Sequence, residues 1–390
     1  MALNVQEFVN EKVNEIRNIV DEEKALIAVS GGVDSTTCAV LTHKAIYDNL
    51  QCVFIDTGFM RLGEPEKVKS FFEDLDLPFK IIDARERFLD LLRGLEDAEE
   101  KRKVFRQTFY DVLSESAKEE SCRFLVQGTI APDWIETKGG IKTQHNVLEQ
   151  IGISPVEKFG FQVIEPIAYL YKDQVREVAT FLGIKTDASQ RQPFPGPGLL
   201  VRVVGEVTKE KLDIEKNATE IVERNMEGSQ YFAAILDDEE QETEHNIEEL
   251  ASKFFDVETT DISIKVPRSL VTGVKGDLRA YKKLAALTIR IDSELFKPTI
   301  EKLVQLQVNI VSENPEFTRV VYNITERPRK KKYIMIIRSI TTRDFMTAKV
   351  TEIPWDKLEK TAEEIMKRCK EVSEVYYDVT PKPPSCIEYE

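Results

Sequence analysis

Apolar positions in the first half of the chain form short unbroken runs separated by segments with helical spacing. Ala25 to Val29 has no polar interruption and predicts a buried parallel strand, and Ser35 to Ala45 then sets Cys38, Ala39, Leu41, Thr42 and Ala45 at helical spacing. The alternation continues through CVFIDTG (52–58), a helix through Phe72, FKIIDA (79–84) and a long polar helical stretch containing EEKRKVFRQTFYDVL. It goes on with RFLVQGT (123–129), FQVIEPI (161–167) and a helix from Lys172 to Leu182. Strands alternating with helices predict an α/β fold with a doubly wound parallel sheet, whose ligands sit at the carboxyl ends of the strands. Asp34, Asp56 and Thr129 all fall at that edge.

The proline- and glycine-rich RQPFPGPG (191–198) ends the helical pattern, so a domain boundary is expected near 200, dividing the chain into 1–200 and 201–390. The second half has a different texture. Residues 302–328 and 357–383 match without a gap at an offset of 55, setting Tyr322 with Tyr377, Thr325 with Thr380 and Pro328 with Pro383. Each segment reads as helix then strand and follows an apolar run ending in arginine, at Arg290 and at Arg338. A duplicated strand-helix-strand unit in an α+β domain is the expectation, with chance resemblance of common patterns as the alternative.

Composition narrows the class. The chain has 390 residues, 42% of them hydrophobic, which is enough to fill two cores. No run reaches the 18 or so apolar residues of a membrane span, and Phe8, Val9, Val13, Ile16, Ile19 and Val20 read as an amphipathic helix, not a signal peptide, so no membrane partner is expected. The five cysteines, at 38, 52, 122, 369 and 386, form no Cys-x-x-Cys pair, which suits reduced thiols in a cytoplasmic protein and gives no zinc site. A net charge of −15 argues against nucleic-acid binding.

The chemistry concentrates in Ser30-Gly31-Gly32-Val33-Asp34-Ser35, between the first strand and its helix. Adjacent glycines let backbone approach a ligand, and the helix behind aims free N–H groups and its positive dipole end at the same spot. That is an anion site, and phosphate suits it. The loop lacks the Gly-Lys-Ser/Thr ending of the Walker type, and a carboxylate beside phosphates needs a cation between them, so Asp34 implies Mg²⁺. An ordinary strand-to-helix turn capped by Ser30 is the alternative.

This loop resembles the PP-loop of the N-type ATP pyrophosphatases, which cleave ATP between the α and β phosphates. Beyond it, FIDTGFMRLGE, VQGTIAPDWIE, IKTQHNV, YKDQVREVA, RQPFPGPGLLVRVVGEV, VTGVKGDLRAYKK, RDFMTA and the closing KPPSCIEYE are similar, in this order, to the GMP synthetase family. The resemblance implies an adenine nucleotide alpha hydrolase-like first domain, a dimerisation domain after it, and a homodimer. It implies amination of xanthosine monophosphate through an adenylated base, releasing AMP and pyrophosphate. It places ATP on Ser30, Gly31, Gly32, Val33, Asp34, Ser35, Asp56, Gly128, Thr129 and Lys172, with Mg²⁺ on Asp34. Xanthosine monophosphate is placed on Arg102, Pro195, Gly196, Arg279, Lys382 and Glu388. On spacing alone Lys172 is a solvated lysine at a helix start, and the charged groups are surface charges. IETKGGIKTQHNV (135–147) reads as a lid whose Lys138, Lys142 and His145 approach phosphates, or as a solvated loop.

Three positions depart from the family pattern: Gln144 and Gln190 stand where histidine is usual, and Lys275 where an uncharged residue is usual. No cysteine has the Gly-x-Cys-x-Gly setting of a glutaminase nucleophile, so the resemblance implies ammonia from a separate glutaminase subunit. Other PP-loop enzymes, such as NAD synthetase or a tRNA thiolase, share Ser30 to Ser35, and a non-catalytic nucleotide sensor would not need Lys172 or the C-terminal Lys-Glu pair.

Overall fold

The computed structural model describes residues 3–132, 160–184, 192, 194–275, 278–342 and 346–390, the side chains of Lys275 and Leu278 excepted. Lys138, Lys142, Gln144, His145 and Gln190 lie outside the described residues. The chain divides into two compact units, Met1–Leu91 with Lys103–Arg191, and Leu92–Arg102 with Gln192–Glu390. The division thus falls a few residues before the boundary expected near 200, and a short stretch at 92–102 belongs with the second unit.

The first unit is built on β1 (Lys24–Ala28), β2 (Leu50–Asp56), β3 (Phe79–Asp83), β4 (Cys122–Val126) and β5 (Gln162–Ile164). They form one parallel sheet in the order β3-β2-β1-β4-β5. Its described helices are α1 (Val5–Val20), α2 (Val33–Ile46), α3 (Glu64–Asp74), α4 (Arg85–Leu92), α5 (Ala98–Glu119) and α6 (Lys172–Phe181), with Leu92 of α4 and residues 98–102 of α5 counted in the second unit. Asn4 caps α1 by accepting from the Glu7 N–H at 3.3 Å, and the helix buries Val9, Ile16 and Val20. Small residues along α2, among them Thr37, Cys38, Ala39 and Ala45, are buried and let it pack closely on α1 and α6. Strand order reverses between β1 and β4, so the loops after these two strands flank the crevice where such sheets bind ligands.

The second unit carries α7 (Lys209–Asn225), β6 (Gln230–Asp237), α8 (Ile247–Phe255), β7 (Ile262–Lys265), β8 (Val271–Lys275) and β9 (Leu278–Ile291). After these come β10 (Glu294–Leu295), α9 (Ile300–Glu313), β11 (Phe317–Asn323), β12 (Tyr333–Thr341), β13 (Lys349–Val350), α10 (Trp355–Arg368) and β14 (Val372–Asp378). They form a mixed sheet with a central order β9-β11-β14-β12; β6 closes one side on β12, and β7 and β8 pair with β9 on the other. The offset of 55 is real: α9 maps on α10, β11 on β14 and β10 on β13. β11 and β14 run antiparallel with Tyr322 opposite Tyr377, so equivalent residues face each other across a pseudo-twofold axis. Thr325 Oγ1 accepts from Val375 N–H at 2.6 Å, and Thr380 Oγ1 accepts from Val320 N–H at 2.8 Å, the same bond repeated on each side.

The two arginines that end the apolar runs are not equivalent. In the parallel pairs Leu287 sits beside Tyr322 and Ile337 beside Tyr377, so β9 maps on β12 at an offset of 50, which sets Arg338 opposite Thr288 in the repeat. The connection from β12 to β13 is longer than the β9–β10 hairpin, which absorbs the difference. Arg290 donates to the carbonyls of Thr325 and Glu326, whereas Arg338 points to Asp378.

Candidate active site

In the first unit, Gly31 has φ +74° and a Cβ there would meet Val68 Cγ2 at 2.9 Å, so both its backbone angle and its space call for glycine. Gly32 is the N-cap of α2 and makes no side-chain cap bond, which leaves the first N–H groups of the helix for a ligand. Ser30 and Ser35 hydroxyls lie 3.4 Å apart at the loop mouth. Gly128, just past β4, comes so close to the loop that a Cβ would stand 3.0 Å from the Ser35 nitrogen. The adjoining Thr129 is fully buried.

Lys172, the first residue of α6, reaches back to the loop and its Nζ lies 2.5 Å from Asp34 Oδ2. The other carboxylate oxygen, Asp34 Oδ1, is buried and has no hydrogen-bond partner. A lone buried carboxylate oxygen beside hydroxyls, at an anion-binding helix end, fits Mg²⁺, which takes one or two carboxylates and completes its shell with substrate phosphates. Among the described residues no cluster of three or more metal-binding side chains exists. Asp56 is committed locally: its Oδ1 accepts from the Gly58 N–H at 2.9 Å, and Arg85 Nε stands 3.6 Å from its Oδ2. Arg85 carried no sequence signal.

In the second unit the last residues are tied down. Glu390 is 3% exposed, forms an ion pair with the buried Lys101, and accepts at Oε1 from the Gly205 N–H at 2.9 Å. Arg102 donates to the Glu390 main-chain oxygen. Arg279 Nη1 and the Tyr281 hydroxyl share Glu99 Oε1, at 3.1 and 2.7 Å. Burial and the neighbouring Arg279 push the Arg102 guanidinium below its ordinary value, because loss of water disfavours its charged form and a like charge stands nearby. Such a pair favours an anion, phosphate above all.

Pro195 and exposed Gly196 lie in a turn closed by the Gly198 N–H on the Pro195 carbonyl at 2.8 Å. Lys382 exchanges both main-chain bonds with Ala348. The Glu388 carboxylate accepts from Arg202 Nε at 3.2 Å, from Arg202 Nη2 at 3.4 Å and from Gln230 Nε2 at 3.1 Å. Arg202 and Gln230 were not found by spacing, since both sit inside apolar segments.

Two arginines, one on β11 and one on β12 on either side of β14, hold the segment that carries Glu388. Asp378 Oδ2 accepts from Arg319 Nη1 at 2.7 Å, from Arg338 Nη1 at 2.6 Å and from the Tyr389 hydroxyl at 2.6 Å. The two Nη2 atoms donate to the carbonyls of Cys386 and Glu388 and to the Ser385 hydroxyl, and Arg319 Nε donates to the Thr272 carbonyl.

Glu215, on α7, is fully buried, and burial pushes its carboxyl up to about 8 from 4.5, against the pull of Arg202 and a bond from Thr219. The folded protein therefore holds a proton that the unfolded chain releases above about pH 4.5, and stability falls as pH rises from there to about 8. Glu215→Gln, which keeps the neutral shape, is expected to remove this decline and to gain about 4 kcal/mol over the parent by pH 8. Urea unfolding of both proteins at pH 5, 6.5 and 8 checks it, and parallel curves would show that Glu215 titrates normally.

A five-stranded parallel sheet with SGGVDS at its switch point and a lysine brought onto the loop aspartate defines a PP-loop enzyme that uses ATP. The PP-loop domain family matches residues 3–192, and the GMP synthase C terminal domain family matches residues 328–389. The GMP synthase (glutamine-hydrolyzing) subunit from Sulfurisphaera tokodaii is 48% identical, with both chains covered in full. The protein of that name from Saccharolobus solfataricus is 43% identical over 98% of each chain, and that from Pyrococcus horikoshii 40% over 98% of each. The chain belongs to this family of GMP synthase subunits.

Proposed function

We propose that this chain is the synthetase half of a two-subunit GMP synthase, aminating xanthosine monophosphate at the cost of ATP with ammonia from a separate glutaminase subunit. The observation that carries the ATP step is the Asp34–Lys172 pair on an uncapped helix start, with Asp34 Oδ1 buried and unpartnered. The 2-oxygen of xanthosine monophosphate attacks the α phosphorus and the bond to pyrophosphate breaks. Ammonia then attacks carbon 2, the bond to AMP breaks, and the extra proton passes to solvent.

Displacement at phosphorus needs placement and charge neutralisation more than a protein nucleophile. The free N–H groups of α2 with the Ser30 and Ser35 hydroxyls bind the departing pyrophosphate, and Lys172 adds a positive charge beside it. Mg²⁺, held by Asp34, would offset phosphate charge when bound. Arg102 and Arg279 take the nucleotide phosphate, and the Glu388 carboxylate accepts from a ring N–H, with Pro195, Gly196 and Lys382 completing that set.

The thiols support a separate nitrogen source. Burial pushes Cys38 well above its ordinary value, Cys52 up to about 12, and Cys122 and Cys369 up to about 11, so none of the four supplies a thiolate. Homodimerisation through 201–390 and a cytoplasmic setting complete the reading; the five free cysteines support the second. No described helix is long and apolar enough to cross a membrane.

The test mixes the purified chain with ATP, Mg²⁺, xanthosine monophosphate and either ammonium or glutamine. Ammonium is expected to give GMP, AMP and pyrophosphate in equal amounts, and glutamine alone to give none. Pyrophosphate release that does not need xanthosine monophosphate would favour another PP-loop reaction.

A further inference from the structure

Arg202 is fully buried, and nothing in its sequence setting, the apolar GLLVRVV, singles it out. Its guanidinium lies over two rings, 4.1 Å from the centre of Phe232 and 5.2 Å from that of Phe194. Stacking of this kind fixes the plane of the group, and aromatic faces attract its charge. In that plane Nε and Nη2 both meet the Glu388 carboxylate, while Nη1 is buried without a partner. Phe194 precedes Pro195 and Gly196 in the chain, so one side chain touches both segments to which the nucleotide is assigned.

The surroundings commit Arg202 to Glu388. The other carboxyl beside it, Glu215, keeps its proton at neutral pH. Gln230 adds a third N–H to the Glu388 carboxylate from β6, and Gln192 joins the same corner by accepting from the Tyr231 N–H at 2.9 Å. The three donors leave further lone pairs on a carboxylate that is 16% exposed, so it can still accept from a ligand.

We propose that Arg202 is a positioning residue for nucleotide recognition: it locks the Glu388 carboxylate in one orientation and ties it to the Phe194–Gly196 segment. The inference rests on the reading of Glu388 as a contact to the xanthine ring. A loose glutamate would have to be ordered by each incoming nucleotide, whereas a clamped one is ready to accept its N–H.

Calorimetry on the full chain tests it, titrating xanthosine monophosphate and, separately, ATP into the parent, Arg202→Gln, Arg202→Lys, Glu388→Gln and the Arg202→Gln/Glu388→Gln double variant. Both glutamine variants are expected to weaken xanthosine monophosphate roughly ten- to a hundredfold and to leave ATP affinity within about twofold. Arg202→Lys keeps the charge but loses the two-point contact and the stack, so an intermediate loss is expected even if Arg202→Gln does not fold. The double variant is expected to bind no more weakly than Glu388→Gln alone, since the arginine acts through the glutamate. Losses that multiply in the double variant, or an equal loss of ATP affinity on changing Arg202, would mean a general structural role and overturn the proposal. Normal xanthosine monophosphate binding by both Arg202 variants while Glu388→Gln fails would overturn it and leave the reading of Glu388 standing. A silent Glu388→Gln would remove that reading itself, and the proposal with it.

Discussion

Asp34→Ala is expected to lose pyrophosphate release by roughly a thousandfold while the protein stays folded. The side chain sits at a ligand-facing turn and is 26% exposed, so its removal opens no cavity in the core. Its ion pair with Lys172 is half in water and contributes little to stability. In the proposed reaction each oxygen has a part: Oδ2, which meets Lys172, would hold that lysine beside the phosphates, and the unpartnered Oδ1 is the group suited to a cation. Asp34→Asn keeps the shape and removes the charge, and should fall nearly as far. Single-turnover release of pyrophosphate at several Mg²⁺ concentrations, with circular dichroism as a control, measures this. Near-normal rates in both variants would strip the loop aspartate of its role and leave Asp34–Lys172 an ordinary surface pair.

Asp378→Asn should be the most destabilising conservative change in the second unit. The carboxylate is fully buried between two fully buried arginines; burial alone would raise its affinity for protons, but Arg338 and Arg319 outweigh this and hold it below its ordinary value. Removing its charge leaves two guanidiniums out of water with no counter-ion, a change that costs about 3–5 kcal/mol. Because the folded value is lowered, this contribution is complete above about pH 4 and disappears as pH falls through the folded value. Denaturant unfolding at pH 7 checks the magnitude. The same variant should lose xanthosine monophosphate binding, since both arginines also hold the carbonyls of residues 386 and 388. A loss below 1 kcal/mol would mean that the ion triad relaxes without effect.

Much of the first unit was legible because its largely apolar strands alternate with segments of helical spacing. The strand expected at 25–29 is Lys24–Ala28, and the helix expected from Ser35 begins at Val33, since Gly32 serves as its N-cap. Lys172 was different: its spacing reads as solvated, and only the fold brings it onto a carboxylate 138 positions away. Lys101 gave no signal at all, lying in a polar helical run while the carbonyls of Val203 and Gly205 and the Glu390 carboxylate satisfy its ammonium. The offset of 55 was visible in tyrosine, threonine and proline, but the two apolar runs ending in Arg290 and Arg338 gave no sign that their strands repeat at an offset of 50. An unbroken apolar run, buried on both faces, has no alternation to fix its register, and the longer β12–β13 connection shifts it.

The axis between Tyr322 and Tyr377 relates two halves encoded by one gene. Where two copies of a single polypeptide meet on such an axis, any base change rewrites both sides at once, and a charge placed on one side is obliged to appear on the other. Here Asn323 and Asp378 occupy matching places, as do Arg319 and Glu374, and they have separate identities. One end of the sheet carries two guanidiniums and a carboxylate that grip residues 385–389; the matching end carries Glu374, held by Lys265 and Asn323 at 2.6 and 2.8 Å. Lopsidedness of this kind is open only to a doubled chain, and it gives a nearly symmetric sheet a single seat for the segment that bears Glu388.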